Sequence, residues 1–172
     1  MGATPRAFAG QLFDRNGDGA VGKRRMAREM AVQMLYQADL AGSSVPEVTR
    51  AFDLADFLRE RALDGELQNE AGATEARDAF PYACRLVEGT RGRLEEIDGL
   101  IRTQAENWRL ERMPAVDRNI LRLAVYEMLQ ETDVPKLVIV DEAVELAKRF
   151  GSEQSGRFVN GLLDGVLRRH SF

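Results

Sequence analysis

Residues 24–40 read RRMAREMAVQMLYQADL, and this stretch decides the fold class. Its apolar residues recur at spacings of three and four, which is typical of an amphipathic helix. They are Met26, Ala27, Met30, Ala31, Met34, Leu35 and Ala38. The same spacing continues through most of the chain beyond Lys23, and no segment keeps the alternation of period two that strands show. The sequence therefore predicts an all-α fold.

Turn-forming residues divide the helical pattern into about seven helices. The predicted helices cover about residues 24–40, 46–58 and 78–88, a segment from residue 94 towards 108, and three segments that follow Pro114, Pro135 and Ser152. Ser152 is the predicted N-cap of the last helix. Pro81 is expected in the first turn of the third helix, because a proline deeper inside would remove a backbone hydrogen bond. The acidic, Gly-containing residues 65–75 are expected to form a linker. Seven helices with short connections predict two packed helical bundles.

Residues 1–22 lack the helical periodicity of the rest of the chain and are rich in Gly. The sequence therefore predicts a disordered N-terminal extension, followed by a domain that spans residues 23–172. They contain a DRNGDG cluster in which Asp14, Asn16 and Asp18 have the spacing of the first ligands of an EF-hand loop. The twelfth loop position, which needs a bidentate acid, is Arg25, so we expect no calcium binding. An alternative is that translation begins at position 21.

Composition narrows the possible functions. The chain has 172 residues, of which 44% are hydrophobic, enough to fill the core of one ordinary domain. A single cysteine, Cys84, and a single histidine, His170, cannot form an internal disulfide, a zinc site or a Cys/His catalytic set. Cys84 has the spacing of a core residue. We therefore expect a cytoplasmic protein without a cofactor, a metal or an enzymatic activity, since the sequence also lacks a membrane-spanning stretch and a signal peptide.

The positive charge is concentrated in one short segment. The net charge is −4, yet residues 23–28 (KRRMAR) contain four basic residues and no acidic one. These residues occupy the first turns of a predicted helix, where the helix dipole favours acids over bases. Local helix stability therefore does not explain them, and an anionic ligand such as a phosphate backbone does. The alternative is a solvated charge run at a flexible chain end.

Two further helix faces carry candidate contact residues. On the last predicted helix, Phe158 lies at the edge of the apolar stripe beside Arg157, where it could stack on an unpaired base or form a half-buried rim. On the first helix, Val32 and Tyr36 share a face with Arg25, opposite the main stripe. That face is either a partner surface or evidence that the helix is buried on both sides.

Four stretches resemble the NusB family of transcription antitermination factors, in the same order. They are RRMAREMAVQMLYQADL (24–40), DRNILRLAVYEM (117–128), VPKLVIVDEAVELAKRFG (134–151) and SGRFVNGLLD (155–164). The resemblance implies a fold of two helical bundles. It also implies a complex with a NusE-type small-subunit ribosomal protein, in which the two proteins hold a boxA-type RNA and help RNA polymerase to pass terminators, chiefly on ribosomal RNA operons.

The resemblance also assigns residues. It places Lys23, Arg24, Arg25 and Arg28 in an arginine-rich RNA-binding motif, Gln154, Arg157 and Phe158 in a second RNA-contacting region, and Tyr36 and Asp117 at positions important for the partner. The chain departs from the family at Asp141, which is usually Asn, at Gln154, which is often an acid, and in residues 1–20, which have no counterpart. Two alternatives are an RNA-binding domain related to RNA cytosine methyltransferases and a purely protein-binding helical scaffold.

Overall fold

The computed structural model describes residues 6–67, 69–130 and 133–172, with their side chains from residue 22 onward. All regular elements in these ranges are helical. They are α1 (Arg6–Ala41), α2 (Val45–Ala51), α3 (Leu54–Leu63), α4 (Glu70–Gly92), α5 (Leu94–Gln104), a 3-10 turn (Leu110–Arg112), α6 (Ala115–Gln130), α7 (Lys136–Phe150) and α8 (Ser155–Arg169). The predicted all-α class is confirmed, with eight α-helices in the described ranges where the sequence predicts about seven.

The extra helix arises because the predicted second helix is interrupted. Phe52 has an extended backbone after α2, and Asp53 then caps α3 by accepting a hydrogen bond from the Asp56 backbone N–H at 2.9 Å. An aspartate side chain that can bond the backbone of the next turn favours a helix start over a helix interior. Two short helices therefore replace one longer helix.

Helix α4 is longer than the sequence predicts. Asn69 caps it by accepting a hydrogen bond from the Gly72 N–H at 3.1 Å, so residues 70–75 of the predicted linker are helical. The expectation that Pro81 lies in a first turn is wrong, because Pro81 lies in the helix interior. The helix tolerates the missing hydrogen bond because Pro81 itself is exposed, while the small residues Ala79 and Ala83 pack into the core.

The N-terminal part of α1 crosses the predicted domain boundary. The helix begins at Arg6 and runs without interruption through position 22. The side chains of Asp14, Asn16 and Asp18 lie outside the described residues, but their backbone belongs to a helix and not to a calcium-binding loop.

Helix α6 lies at the centre of the molecule. It contacts α1 and α4, which pack against each other, and it also contacts α5, α7 and α8, of which α8 packs against both α5 and α7. The two bundles therefore share α6. Two ion pairs define an antiparallel arrangement of α1 and α6: Arg28 pairs with Glu127, and Asp39 pairs with Arg118. Most of α6 is buried, including its polar residues Asn119 and Arg122. The ends of this helix therefore position the surfaces described below.

The turn between α7 and α8 differs in detail from the prediction. The cap of α8 is Gln154 and not Ser152, and the Gln154 side chain makes no capping hydrogen bond. Ser152 instead donates its backbone N–H to the Ser155 hydroxyl at 2.9 Å. This arrangement leaves the Gln154 side chain exposed at the start of α8.

Candidate nucleic-acid interface

Three of the four predicted RNA-binding basic residues lie on the surface of α1. The side chain of Lys23 is 47% exposed and its Nζ lies 3.7 Å from the Asp78 carboxylate. The Arg25 side chain is 48% exposed and donates two hydrogen bonds to Glu142, at 3.0 and 2.8 Å. Arg24 is exposed and forms no ion pair with a described acidic residue. Arg24 is thus the most available of these cations, whereas two of the three guanidinium nitrogens of Arg25 already donate to a carboxylate.

Arg28 differs from the other three. Arg28 is only 3% exposed, and its Nε lies 3.0 Å from both carboxylate oxygens of Glu127. Glu127 is 1% exposed. Burial alone would lower the pKa of Arg28, but the charges of Glu127 and Glu142 raise it, so the guanidinium stays charged. The carboxylate of Glu127 on α6 therefore holds this side chain between α1 and α6, away from the surface on which the other three basic residues lie.

The second predicted region forms a cleft, which we call the Trp108–Phe158 cleft. It has a volume of about 740 Å³ and is lined by Trp108, Met113, Pro114, Asp117, Ser152, Glu153, Gln154, Ser155, Arg157 and Phe158. Phe158 is half-buried, as predicted for an edge position, and Gln154 and Arg157 are exposed. The structure therefore brings the three C-terminal candidates together.

Trp108 is a residue of this cleft that the sequence analysis missed as a candidate. Its ring centroid lies 5.8 Å from that of Phe158, with an angle of 61° between the planes, and the residue is 61% exposed. Trp108 lies between α5 and the 3-10 turn, so helical periodicity gives no information about it. The available signal is the residue type itself, since an exposed tryptophan offers a large stacking surface.

Asp117 lies in the same cleft. It occupies the first turn of α6 and is 3% exposed. The resemblance assigns it to the partner surface, whereas the structure places it beside Phe158, Gln154 and Arg157. Asp117 therefore belongs to the cleft that also contains the predicted RNA-contacting residues.

A second depression, which we call the Tyr36 groove, lies between α1, α2, α3, α6 and the end of α7. It has a volume of about 600 Å³ and contains half-buried Tyr36. Its lining is mostly apolar, with acids on the α3 side: Val32, Met34, Val48, Ala51, Phe52, Phe57, Val116 and Phe150, with Asp53, Asp56 and Glu60. Val32 is 2% exposed, which confirms that α1 is buried on both sides at this position.

The basic cluster and the cleft are separate in space. Glu127, which holds Arg28, lies ten residues beyond Asp117 on α6, a distance of about 15 Å along the helix. By contrast, the adjacent residues Val116 and Asp117 line the groove and the cleft respectively. The groove and the cleft therefore meet at the start of α6, and the basic cluster lies towards its other end.

Two further properties concern the described part of the chain. None of its helices is long and apolar enough to cross a membrane. Its His, Cys, Asp and Glu side chains include no group of three arranged to hold a metal ion.

Cys84 is half-buried and packs against the core, and burial raises the pKa of its thiol.

Comparison with known proteins gives a consistent result. The sequence model of the NusB family matches residues 25–168. Transcription antitermination protein NusB from Sorangium cellulosum is 46% identical over 146 residues, which cover 85% of this chain and 92% of that protein. The protein of the same name from Myxococcus xanthus is 42% identical over 147 residues, covering 85% and 95% respectively.

Solved structures agree with the sequence comparison. A structure of T. maritima NusB is 39% identical, covers 87% of this chain and 93% of its own, and has a TM-score of 0.64. A structure described as antitermination factors NusB and NusE in complex with dsRNA is 28% identical, covers 86% and 98%, and also has a TM-score of 0.64.

Proposed function

The chain belongs to the NusB family, and from this premise we propose that it is a transcription antitermination factor that binds boxA-type single-stranded RNA together with a NusE-type ribosomal protein. In this role it promotes transcription of ribosomal RNA operons. The curated relatives are matched over nearly their whole length. This supports an antitermination factor over the RNA-binding domain of a larger methyltransferase.

The Trp108–Phe158 cleft is the observation that carries the proposal. Single-stranded RNA is recognised mainly by stacking of unpaired bases on aromatic side chains and by hydrogen bonds to base edges. The cleft offers two aromatic rings in contact, the exposed Arg157 guanidinium and the exposed Gln154 amide. These are the groups that an unpaired base and its phosphate require.

The basic cluster supplies contacts to the RNA backbone. Lys23, Arg24 and Arg25 lie on the surface of α1, where their charges suit phosphates. Arg28 is buried in its pair with Glu127, so we assign it an indirect role: it fixes α1 against α6 and thereby positions the cluster.

The Tyr36 groove is the proposed surface for the protein partner. Its apolar lining and the acidic residues of α3 suit a partner that presents apolar side chains beside basic ones. A related NusB has been solved with NusE and RNA. Because the groove adjoins the cleft at Val116 and Asp117, a partner bound there would lie next to the RNA. We expect Tyr36 to make the direct contact, since Asp117 lines the cleft and not the groove.

The proposal is tested by titrating two labelled RNA strands with the purified protein and measuring fluorescence anisotropy. One strand is a boxA-type sequence, and the other has the same composition in shuffled order. We expect tighter binding of the boxA-type strand at every salt concentration, with affinity falling as salt rises. Equal affinity for both strands would contradict sequence-selective binding, and absence of binding to either would contradict the RNA-binding role altogether.

A further inference from the structure

The strongest unexplained feature of the molecule is the carboxylate of Asp117. The residue is 3% exposed, and its Oδ1 atom is buried without a hydrogen-bond partner among the described residues. Buried polar atoms in folded proteins nearly always have a partner, and an unpaired acceptor destabilises the fold. A side chain that has an unpaired acceptor in the free protein and also lines a cleft is therefore a candidate for contact with a ligand.

Nearby cations do not account for this carboxylate. The adjacent Arg118 donates to Asp39 and to the backbone carbonyls of Leu110 and Met113. Arg122, one turn further along α6, donates to Asp98 and lies 3.3 Å from Asp39. Asp117 is thus an acceptor held ready for an N–H donor.

The residues around Asp117 indicate that the N–H donor belongs to a nucleobase. The cleft also contains the aromatic pair Trp108 and Phe158, which suits the face of a nucleobase. A base that lies against these rings would present its edge to the wall of the cleft. Carboxylates accept hydrogen bonds from exocyclic amino groups of bases. Uracil has no such group. Its one N–H donor on this edge lies between two carbonyl oxygens, which a carboxylate repels.

We propose that Asp117 recognises one base that carries an exocyclic amino group, bound in the Trp108–Phe158 cleft, and discriminates against uracil at that position of the RNA. This inference rests on the proposed RNA-binding function and adds a specificity-determining residue to it. It also gives Asp117 a role in RNA recognition in place of direct contact with the protein partner.

The experiment uses the full-length protein and a set of boxA-type single strands. In each strand one amino-bearing base is replaced by uracil, and affinities are measured by anisotropy. For the unmodified protein we expect one position at which the replacement weakens binding about tenfold or more. In Asp117→Asn the same replacement has little effect, because the amide has lost the negative charge and offers its own N–H donors. Asp164→Asn, an equal change of charge at an exposed site of α8, keeps the discrimination.

A second measurement needs no variant. The base at the selective position is replaced by the same base without its amino group, and we expect a similar loss of affinity with the unmodified protein. The inference is overturned if no position discriminates, or if Asp117→Asn binds every strand with the same pattern as the unmodified protein. A change in NusE affinity with an unchanged RNA pattern would also overturn it. Failure of the unmodified protein to bind any strand would contradict the proposed function instead.

Discussion

At the residue scale, three side chains contribute to the proposed RNA interface: Phe158 at the edge of the core, Arg28 between α1 and α6, and Trp108 beside Phe158. Helical periodicity correctly puts Phe158 at the edge of the core. The same periodicity cannot show that Arg28 is buried, because the acid that neutralises it, Glu127, lies 99 residues further along the chain. Nor can it show that Trp108 lies against Phe158, since Trp108 follows α5 outside any helix.

Replacement of Arg28 by alanine is expected to destabilise the fold. Removing one partner of a buried ion pair leaves the other charge uncompensated, at a cost of about 3–5 kcal/mol. Here the uncompensated group would be the carboxylate of Glu127, which is 1% exposed. The measurement is the free energy of unfolding in urea. Arg28→Met combined with Glu127→Leu should recover much of the loss, whereas a stability of Arg28→Ala close to that of the unmodified protein would show that the pair is not structural.

Arg24→Ala is expected to weaken RNA binding without lowering the stability of the fold. Arg24 is exposed and has no described ion pair, so the free energy of unfolding should stay nearly unchanged. Loss of one phosphate contact on a single strand should reduce the slope of log affinity against log salt by about 0.7. Arg168→Ala, which removes another exposed arginine, is the control and should leave the slope unchanged. An unaltered slope in Arg24→Ala would remove this residue from the RNA interface.

Phe158→Ala separates stacking from a purely structural role. If the ring stacks on a base, RNA affinity should fall by about 1–3 kcal/mol, while Phe158→Tyr and Phe158→Trp should retain most of it. If the ring only fills the core, its removal should instead lower the free energy of unfolding by about 3–5 kcal/mol. RNA titration and thermal unfolding of the same variants distinguish the two roles. Lower stability with full affinity per folded molecule would contradict stacking.

At the scale of elements, the positions of strong apolar stripes are predictable and the ends of helices are less so. The stripes of α1, α6, α7 and α8 are visible in the sequence and give the predicted helices. Helix α4 is underestimated because half of its buried residues are alanines, and small residues give a weak hydrophobic pattern. The break before α3 depends on one side-chain hydrogen bond of Asp53.

The contact between α1 and α7 should depend on pH. The hydrogen bonds from Arg25 lower the pKa of Glu142 from its ordinary value of 4.5. A carboxyl group with a lowered pKa in the fold contributes stability that is present above pH 4.5 and is lost as the pH falls through the lowered value. The unmodified protein should therefore lose more stability on acidification below pH 4.5 than Glu142→Gln does. Thermal unfolding at a series of pH values measures the difference, and parallel curves for both proteins would contradict this contribution.

At the scale of the whole molecule, the sequence predicts two bundles but not how their surfaces meet. Helix α6 belongs to both, and its start divides the Tyr36 groove from the Trp108–Phe158 cleft at two adjacent residues, Val116 and Asp117. Sequence neighbours on a helix point in different directions, so this arrangement follows from packing around α6. It places the proposed protein and RNA surfaces side by side.

This adjacency leads to the central claim, that the protein holds RNA and a NusE-type partner at the same time. The direct test is the affinity for a boxA-type single strand with and without saturating NusE, with NusE alone as the control. The account predicts tighter RNA binding in the presence of NusE, and RNA should tighten NusE binding by the same factor, because coupling between two sites is reciprocal. An RNA affinity that is identical with and without NusE would contradict the account.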